Sequence, residues 1–70
     1  MELFNQLKIH RAIHNLTQAE LAIKVGVSRK TINTVENGIF VPSTVLALKI
    51  AEVLNVPVES IFSLKIGRLS

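Results

Sequence analysis

The strongest constraint on this sequence is a connection of three residues, 26–28, between two segments whose apolar residues recur at helical spacing. Ala22 and Val25 share one face of the first segment, and Ile32 lies on the corresponding face of the second. Gly26 permits the left-handed backbone angle that ends many helices. Because Ala22 is small, the second helix can cross the first closely. The two segments therefore predict a pair of helices packed through a tight turn.

Capping residues divide the rest of the chain into helix-sized pieces. Thr17, with Glu20 three residues later, matches a capping box, and Ser28 is a good N-cap for the next helix. The predicted helices cover residues 5–14, 17–25, 28–37, 42–54 and 57–61. Their expected stop residues are Asn15, Gly26, Gly38 and Asn55. We therefore expect a single domain over residues 1–70, with a helix-turn-helix over residues 17–37.

The two ends of the chain show a different pattern. Residues 61–66 (IFSLKI) alternate between apolar and polar, which is the period of a strand, and residues 2–5 offer a partner. A two-stranded sheet alone is marginal in water, so such strands need cover from helices or from a second subunit. We expect an all-α fold of five helices, and leave open whether these ends add a small antiparallel sheet.

The composition argues against several classes of protein. The 70 residues contain no cysteine, which excludes disulfides and thiolate metal sites and is compatible with a reducing cytoplasm. The longest uncharged stretch, residues 37–48, is well below the roughly 20 residues that span a bilayer, so no membrane role is expected. His10 and His14 stand at metal-ligand spacing, but no cluster of other ligands accompanies them, which favours a surface pair. We expect neither a metal nor a cofactor.

An enzyme is also not expected. The chain has no cysteine or aspartate, no glycine-rich phosphate loop and no carboxylate pair placed beside a base. The net charge of +3 is a mild indication of a polyanionic partner. Two cations, Arg29 and Lys30, stand at the start of a predicted helix, where the helix dipole favours anions. Their position is explained if an external polyanion approaches that end, although a solvated helix end is the simpler alternative.

The sequence resembles the Cro/phage-repressor type of helix-turn-helix regulators, the lambda-repressor-like XRE family. The matching segments are LTQAELAIKVGVSRKTINTVENG, then VPS, LKIAEVLNVP and ESIF, within residues 7–62. The resemblance implies a cytoplasmic transcriptional regulator, expected to be a repressor, that binds specific sites in double-stranded DNA. The second helix of such a motif enters the major groove by its N-terminal residues.

The resemblance also implies a set of DNA contacts. Its members are Gln18, Ser28, Arg29, Lys30, Thr31, Asn33, Thr34, Asn37, Gly38 and Ser43. Arg29, Lys30 and Thr34 occupy the usual base-reading positions, with Asn33 beside them. Arginine and lysine fit guanine, asparagine fits adenine, and a threonine methyl can meet a thymine methyl. The serines, Asn37 and the Gly38 backbone would donate to phosphates, and Gln18 would both touch a phosphate and brace the third helix.

Two further groups of residues are assigned from the same resemblance. Arg11 and Glu36 match a pair that bridges the first helix to the end of the third, and we expect this pair to be structural. Ile23, Val45 and residues 39–40 are apolar where the family is often polar or exposed. Ile23 and Val45 are open to three interpretations: dimer contacts, partner contacts or no role. Residues 39–40 are expected to pack against the core or an adjacent subunit.

A dimer is expected because one recognition helix reads too few base pairs to select a genomic site. Regulators of this type pair on half-sites about 34 Å apart, which makes a palindromic operator the expected target. The predicted dimer contacts are Leu3, Phe62, Leu64 and Ile66, through strands that pair with each other or across a two-fold axis. Packing of the fifth helix is the rival interface. The alternative function is a protein-interaction module, such as an antitoxin or anti-activator.

Overall fold

The helices begin and end close to the predicted capping and stop residues. The structure, a computed structural model, describes residues 2–65. The elements are β1 (Glu2–Asn5), α1 (Leu7–Ile13), α2 (Gln18–Val25), α3 (Arg29–Glu36), α4 (Thr44–Leu54), α5 (Val58–Ile61) and β2 (Phe62–Lys65). Five helices, as predicted, make up the described part of the chain together with a two-stranded antiparallel sheet, which the sequence had left as a possibility. Among residues 2–65, no helix is long and apolar enough to cross a membrane.

Side-chain caps fix where the three longest helices begin. Thr17 accepts a hydrogen bond from the Glu20 backbone N–H at 3.0 Å, and the Glu20 carboxylate accepts from the Thr17 N–H at 2.8 Å. This reciprocal pair confirms the predicted capping box. Ser28 and Ser43 cap α3 and α4 in the same way, each accepting from the backbone N–H three residues later. Such a cap contributes about 1 kcal/mol to helix stability.

Left-handed residues end the segments where the sequence predicted them. Gly26 has φ +88° and Gly38 has φ +73°, while Asn15 and Asn55 have φ +55° and +57°. Glycine adopts this region without a steric penalty, and asparagine tolerates it better than most residues. These four positions turn the chain sharply enough to stack short helices on one core.

Replacing Gly26 by alanine is expected to lower the free energy of unfolding by about 1 kcal/mol, because alanine is disfavoured at positive φ. A Cβ built at this position meets nothing within 4 Å, so the loss arises from the backbone alone. Thermal unfolding followed by circular dichroism measures the change. Gly26→Asn is the matched control and should cost less than the alanine variant. Equal stability of the alanine variant and the original chain would contradict this explanation.

One apolar core joins all the elements. Its buried residues are Leu7, Leu21, Ala22, Val25, Ile32, Val35, Leu46, Ile50, Ala51, Leu54, Ile61 and Phe62. The first helix contributes only Leu7, because Ile9 and Ile13 are 56% and 66% exposed. Arg11 and His10 of α1, and His14 directly after it, form hydrogen bonds to other elements instead. The apolar pattern of α1 therefore predicted its helical state but not its buried face.

The two terminal strands pair with each other inside one chain. Leu3 lies opposite Leu64, and Asn5 lies opposite Phe62, in an antiparallel register. The Gln6 N–H donates to the Ile61 carbonyl at 2.8 Å and extends the connection beyond the strands. Since Phe62 is only 9% exposed, the sheet is covered by the helical core. This cover satisfies the condition under which so small a sheet is stable.

Candidate nucleic-acid interface

The packing of α2 against α3 determines which face of α3 meets solvent. Ala22 is 2% exposed and allows close approach of the two helices. Ile32 and Val35, three residues apart, are 0% and 1% exposed and anchor α3 on the core. The opposite face and the first turn of α3 are therefore outside. The fold positions α3 as an exposed helix held from behind by a short, fully packed turn.

Arg29 and Lys30 occupy the exposed first turn of α3. No acidic residue stands in that turn, so both cations add to the partial positive charge of the helix N-terminus. Such an arrangement is unfavourable in isolation and becomes favourable when a polyanion approaches. A guanidinium and an ammonium at this place can donate to phosphate oxygens or to guanine in a major groove.

A hydrogen-bonded network supports α3 from the side of α1 and α2. The Arg11 Nε and Nη2 donate to the two carboxylate oxygens of Glu36, at 2.5 and 3.2 Å. The Gln18 amide donates to Glu36 at 3.1 Å and accepts from Asn33 at 3.3 Å. Asn37 in turn donates to Asn33 at 3.3 Å. The network thus runs continuously from α1 through α2 to the C-terminal end of α3.

The Arg11–Glu36 pair at the base of this network is largely shielded from water. The side chains are 15% and 4% exposed, respectively. Arg11 also donates to the Leu16 carbonyl at 2.7 Å, which ties in the loop before α2. Bidentate geometry and a further hydrogen bond offset part of the cost of burying two charges. The pair is therefore a structural support for α3, as its position in the sequence predicted.

The network also includes three predicted contact residues, Gln18, Asn33 and Asn37. Gln18 braces α3 through Asn33, which confirms that part of its predicted role. Asn33 uses one N–H and one oxygen lone pair within the chain, and so does the Gln18 amide. The amides of Asn33 and Asn37 each keep one N–H for an outside acceptor. These hydrogen bonds thus orient the three amides along one side of α3, as far as its C-terminal end.

The hydroxyl groups predicted to contact phosphates also form hydrogen bonds within the chain. Ser28 and Thr31 share a hydrogen bond of 2.9 Å between their hydroxyls, and Ser28 accepts from the Thr31 N–H. Ser43 lies at the start of α4 and accepts from the Leu46 N–H, which leaves its own hydroxyl hydrogen free to donate. Gly38 departs from expectation, because its backbone N–H already donates to the Val35 carbonyl at 3.1 Å. Gly38 shapes the turn and is not a free backbone donor.

An open cleft beside α3 contains two residues that sequence analysis did not assign to the interface. Its lining residues are Lys30, Thr31, Thr34, Ile39 and Phe40. Ile39 and Phe40 are 76% and 47% exposed, so they do not pack fully on the core of their own chain. The sequence feature that could have assigned them to the interface is a pair of adjacent apolar residues directly after a helix-ending glycine. The predicted base-reading residue Thr34 and this apolar loop form one surface.

The predicted dimer residues occupy different environments. Phe62 is buried in the core of its own chain, Leu3 is half-buried against that core, and Leu64 is 59% exposed. Ile66 lies outside the described residues. The strand pairing within one chain therefore already uses Phe62 for stability, and Leu64 is the most exposed of the three described members of this group.

The two histidines of α1 bond to backbone carbonyls. The Nε2 atom of His10 is 3.1 Å from the Ser60 carbonyl oxygen, and that of His14 is 2.9 Å from the Leu54 carbonyl oxygen. Each ring thereby links α1 to the end of a later helix. Within residues 2–65, no group of three or more His, Cys, Asp or Glu side chains is placed to hold a metal ion.

Known proteins share this sequence and architecture. A model of the Helix-turn-helix family matches residues 7–61. An uncharacterised HTH-type transcriptional regulator of Methanocaldococcus jannaschii is 55% identical over 58 residues, which are 83% of this chain and 88% of that protein.

Two solved structures resemble the fold. The restriction-modification controller protein C.AhdI from Aeromonas hydrophila superposes with a TM-score of 0.74 at 31% identity, covering 77% of this chain and 82% of that one. The SOS-response transcriptional repressor LexA from Eubacterium rectale superposes with a TM-score of 0.75 at 28% identity, covering 91% of this chain and 68% of that one. The family match, the relatives and the exposed cationic helix agree, and the chain therefore belongs to the XRE-type helix-turn-helix family of DNA-binding transcriptional regulators.

Proposed function

We propose that this regulator is a repressor that recognises a specific operator through the exposed face of α3. The observation that carries the proposal is the pair of exposed cations, Arg29 and Lys30, on a turn without acidic residues. In this proposal Arg29 and Lys30 read guanine edges, and Thr34 lies against the same groove. Asn33 stands beside these base-reading residues, where its amide fits adenine. Gln18, Ser28, Thr31, Asn37 and Ser43 position the domain on the phosphate backbone.

The support behind α3 favours reading of base edges over loose charge attraction. Base readout requires side chains held at defined positions, whereas attraction to phosphates tolerates mobile ones. Here hydrogen bonds from Gln18 and from the ion pair behind it hold α3 itself in place, so Arg29 and Lys30 project from a helix of defined position. The likeness to a transcriptional repressor among the solved structures supports the direction of regulation.

The proposed operator is palindromic and the proposed active form is a homodimer. A single α3 presents too few base-reading side chains to select one site in a genome. Leu64 is 59% exposed and Leu3 is half-buried, and they stand opposite each other in the sheet. A second copy covering this pair is the proposed interface. The rival interface is packing of α5, beside which Val45 and Leu48 of α4 are 63% and 53% exposed.

Selection of binding sites from randomised duplex DNA tests the proposed function directly. We expect an enriched inverted repeat with half-site centres about 34 Å apart. Sedimentation of the complex should give two copies of the 7.7 kDa chain per site. If the dimer contacts about six phosphates, its affinity should fall about 10³-fold between 50 and 200 mM salt. A flat salt response, or a failure to enrich any sequence, would contradict the proposal.

A protein-interaction module is the second candidate, favoured by apolar residues away from α3. Ile23 is 80% exposed on α2, and Val45 is 63% exposed on α4. An antitoxin or anti-activator would use such residues to bind a protein. Simultaneous replacement of Arg29 and Lys30 by alanine separates the two functions. Protein binding that survives this change, without any site-specific DNA binding by the original chain, would favour the interaction module.

A further inference from the structure

The loop after α3 forms an apolar extension of the proposed recognition surface. Ile39 and Phe40 line one cleft together with Lys30, Thr31 and Thr34 of α3. Ile39 is 76% exposed, which leaves most of its side chain in water. Adjacent large apolar side chains exposed in this way commonly mark a contact surface. Their place beside α3 means that a duplex bound to α3 would lie against them.

The backbone holds this loop in a defined position. The N–H groups of Ile39 and Phe40 both donate to the Thr34 carbonyl, at 2.9 and 3.2 Å. Gly38 supplies the positive φ of +73° that folds the loop back onto the end of α3. The loop backbone that carries the two apolar side chains is therefore fixed relative to α3 and does not need to be ordered on binding.

Thr34 completes the apolar character of the cleft. Its hydroxyl lies 3.0 Å from the Lys30 carbonyl and 3.0 Å from the Thr31 carbonyl, and it donates its hydrogen within the helix. The hydroxyl hydrogen is therefore not available to a base or a phosphate. With the γ-methyl of Thr34, the cleft presents a methyl, an aliphatic side chain and an aromatic ring beside one ammonium group.

We propose that Ile39, Phe40 and the Thr34 methyl form a site for the C5-methyl group of a thymine in the major groove. This inference rests on the proposed function of α3. Thymine is the base that places a methyl group in the major groove, and apolar side chains are the groups that recognise it. Lys30 at the rim keeps the cleft close to the negatively charged duplex. The loop thus determines specificity at a position that Arg29 does not read.

Replacement of thymine by deoxyuridine tests this site, because it removes only the methyl group. On the DNA site selected for this protein, each thymine is replaced in turn and the dissociation constant is measured. We expect about fourfold weaker binding at one position of each half-site, the effect of losing one buried methyl group. A selected half-site without thymine, or one in which no position discriminates, would overturn the proposal.

Two variants locate the effect on the loop. Ile39→Ala and Phe40→Ala should bind the thymine and deoxyuridine sites with nearly equal affinity, and Ile23→Ala, which changes an exposed isoleucine on α2, should keep the full difference. Persistence of the difference in both loop variants would overturn the proposal. A change of oligomeric state in these variants would assign the loop to a subunit contact and overturn it too. If the original chain binds no site specifically, the proposed function itself has failed.

Discussion

Replacement of Arg11 by methionine is expected to lower the free energy of unfolding by about 3–5 kcal/mol. Glu36 is only 4% exposed, and Arg11 donates to both of its carboxylate oxygens. Methionine would leave a buried carboxylate with the Gln18 amide as its remaining donor among the described residues. Small domains have a total stability near the lower end of about 5–15 kcal/mol, so this loss would unfold a large fraction of the molecules.

Urea denaturation followed by circular dichroism measures this loss. Arg29→Met is the matched control, because it replaces an exposed arginine and should change stability by less than about 0.5 kcal/mol. A double variant, Arg11→Met with Glu36→Met, removes both charges and should recover most of the lost stability. A loss below about 1 kcal/mol for Arg11→Met would show that the pair is not the main support of α3. Any DNA-binding defect of Arg11 variants follows from folding and is no sign of direct contact.

The limits of the helices were the part of the fold that the sequence determined best. Thr17, Ser28 and Ser43 accept from backbone N–H groups three residues later, and this is a local interaction. The left-handed residues, such as Gly26 and Asn55, are local as well. Since such signals act within four or five residues, they can be read before any tertiary contact is known.

The partner of each strand could not be predicted from the same sequence. Alternation in residues 61–66 is satisfied equally by pairing with β1 of the same chain or with a strand of a second copy. What selects the internal pair is tertiary packing, since Ile61 and Phe62 are both buried in the core. The Gln6 N–H also reaches the Ile61 carbonyl, which brings the two ends of the chain together. These contacts join residues more than fifty positions apart.

The cations of the candidate interface could be predicted from the sequence, but the contacts of the residues around them were harder to predict. Arg29 and Lys30 follow from a helix start without acidic neighbours, which is visible in the sequence. The engagement of Asn33 with Gln18, fifteen residues earlier, depends on the crossing of α2 and α3. The loop after Gly38 meets α3 through the local bond from the Ile39 N–H to the Thr34 carbonyl, which a helix-ending glycine indicates, but its place in one cleft with Lys30 was not assigned from the sequence. Features set by neighbouring residues could thus be predicted from the sequence. The hydrogen-bond partners that depend on how the helices pack could not.

Replacement of Arg29 by alanine is expected to weaken binding to the selected DNA site by about 1–3 kcal/mol, or about 5- to 150-fold, while the fold remains intact. Arg29 is exposed at the first turn of α3 and has no described partner within residues 2–65, so its removal disturbs no packing. The change should also relax specificity at one base pair of each half-site. Exchange of the guanine at that position for adenine should weaken the original protein and leave the variant nearly unaffected.

Lys49→Ala provides the matched control, since it removes one exposed positive charge from α4, a helix that contributes no residue to the cleft beside α3. A lost phosphate contact weakens binding to all sequences alike, whereas a lost base contact weakens binding to one sequence. Titration of both variants against the selected site and its guanine-to-adenine form separates the two effects. If Arg29→Ala and Lys49→Ala behave alike, or if Arg29→Ala still discriminates guanine from adenine, Arg29 supplies charge and not sequence recognition.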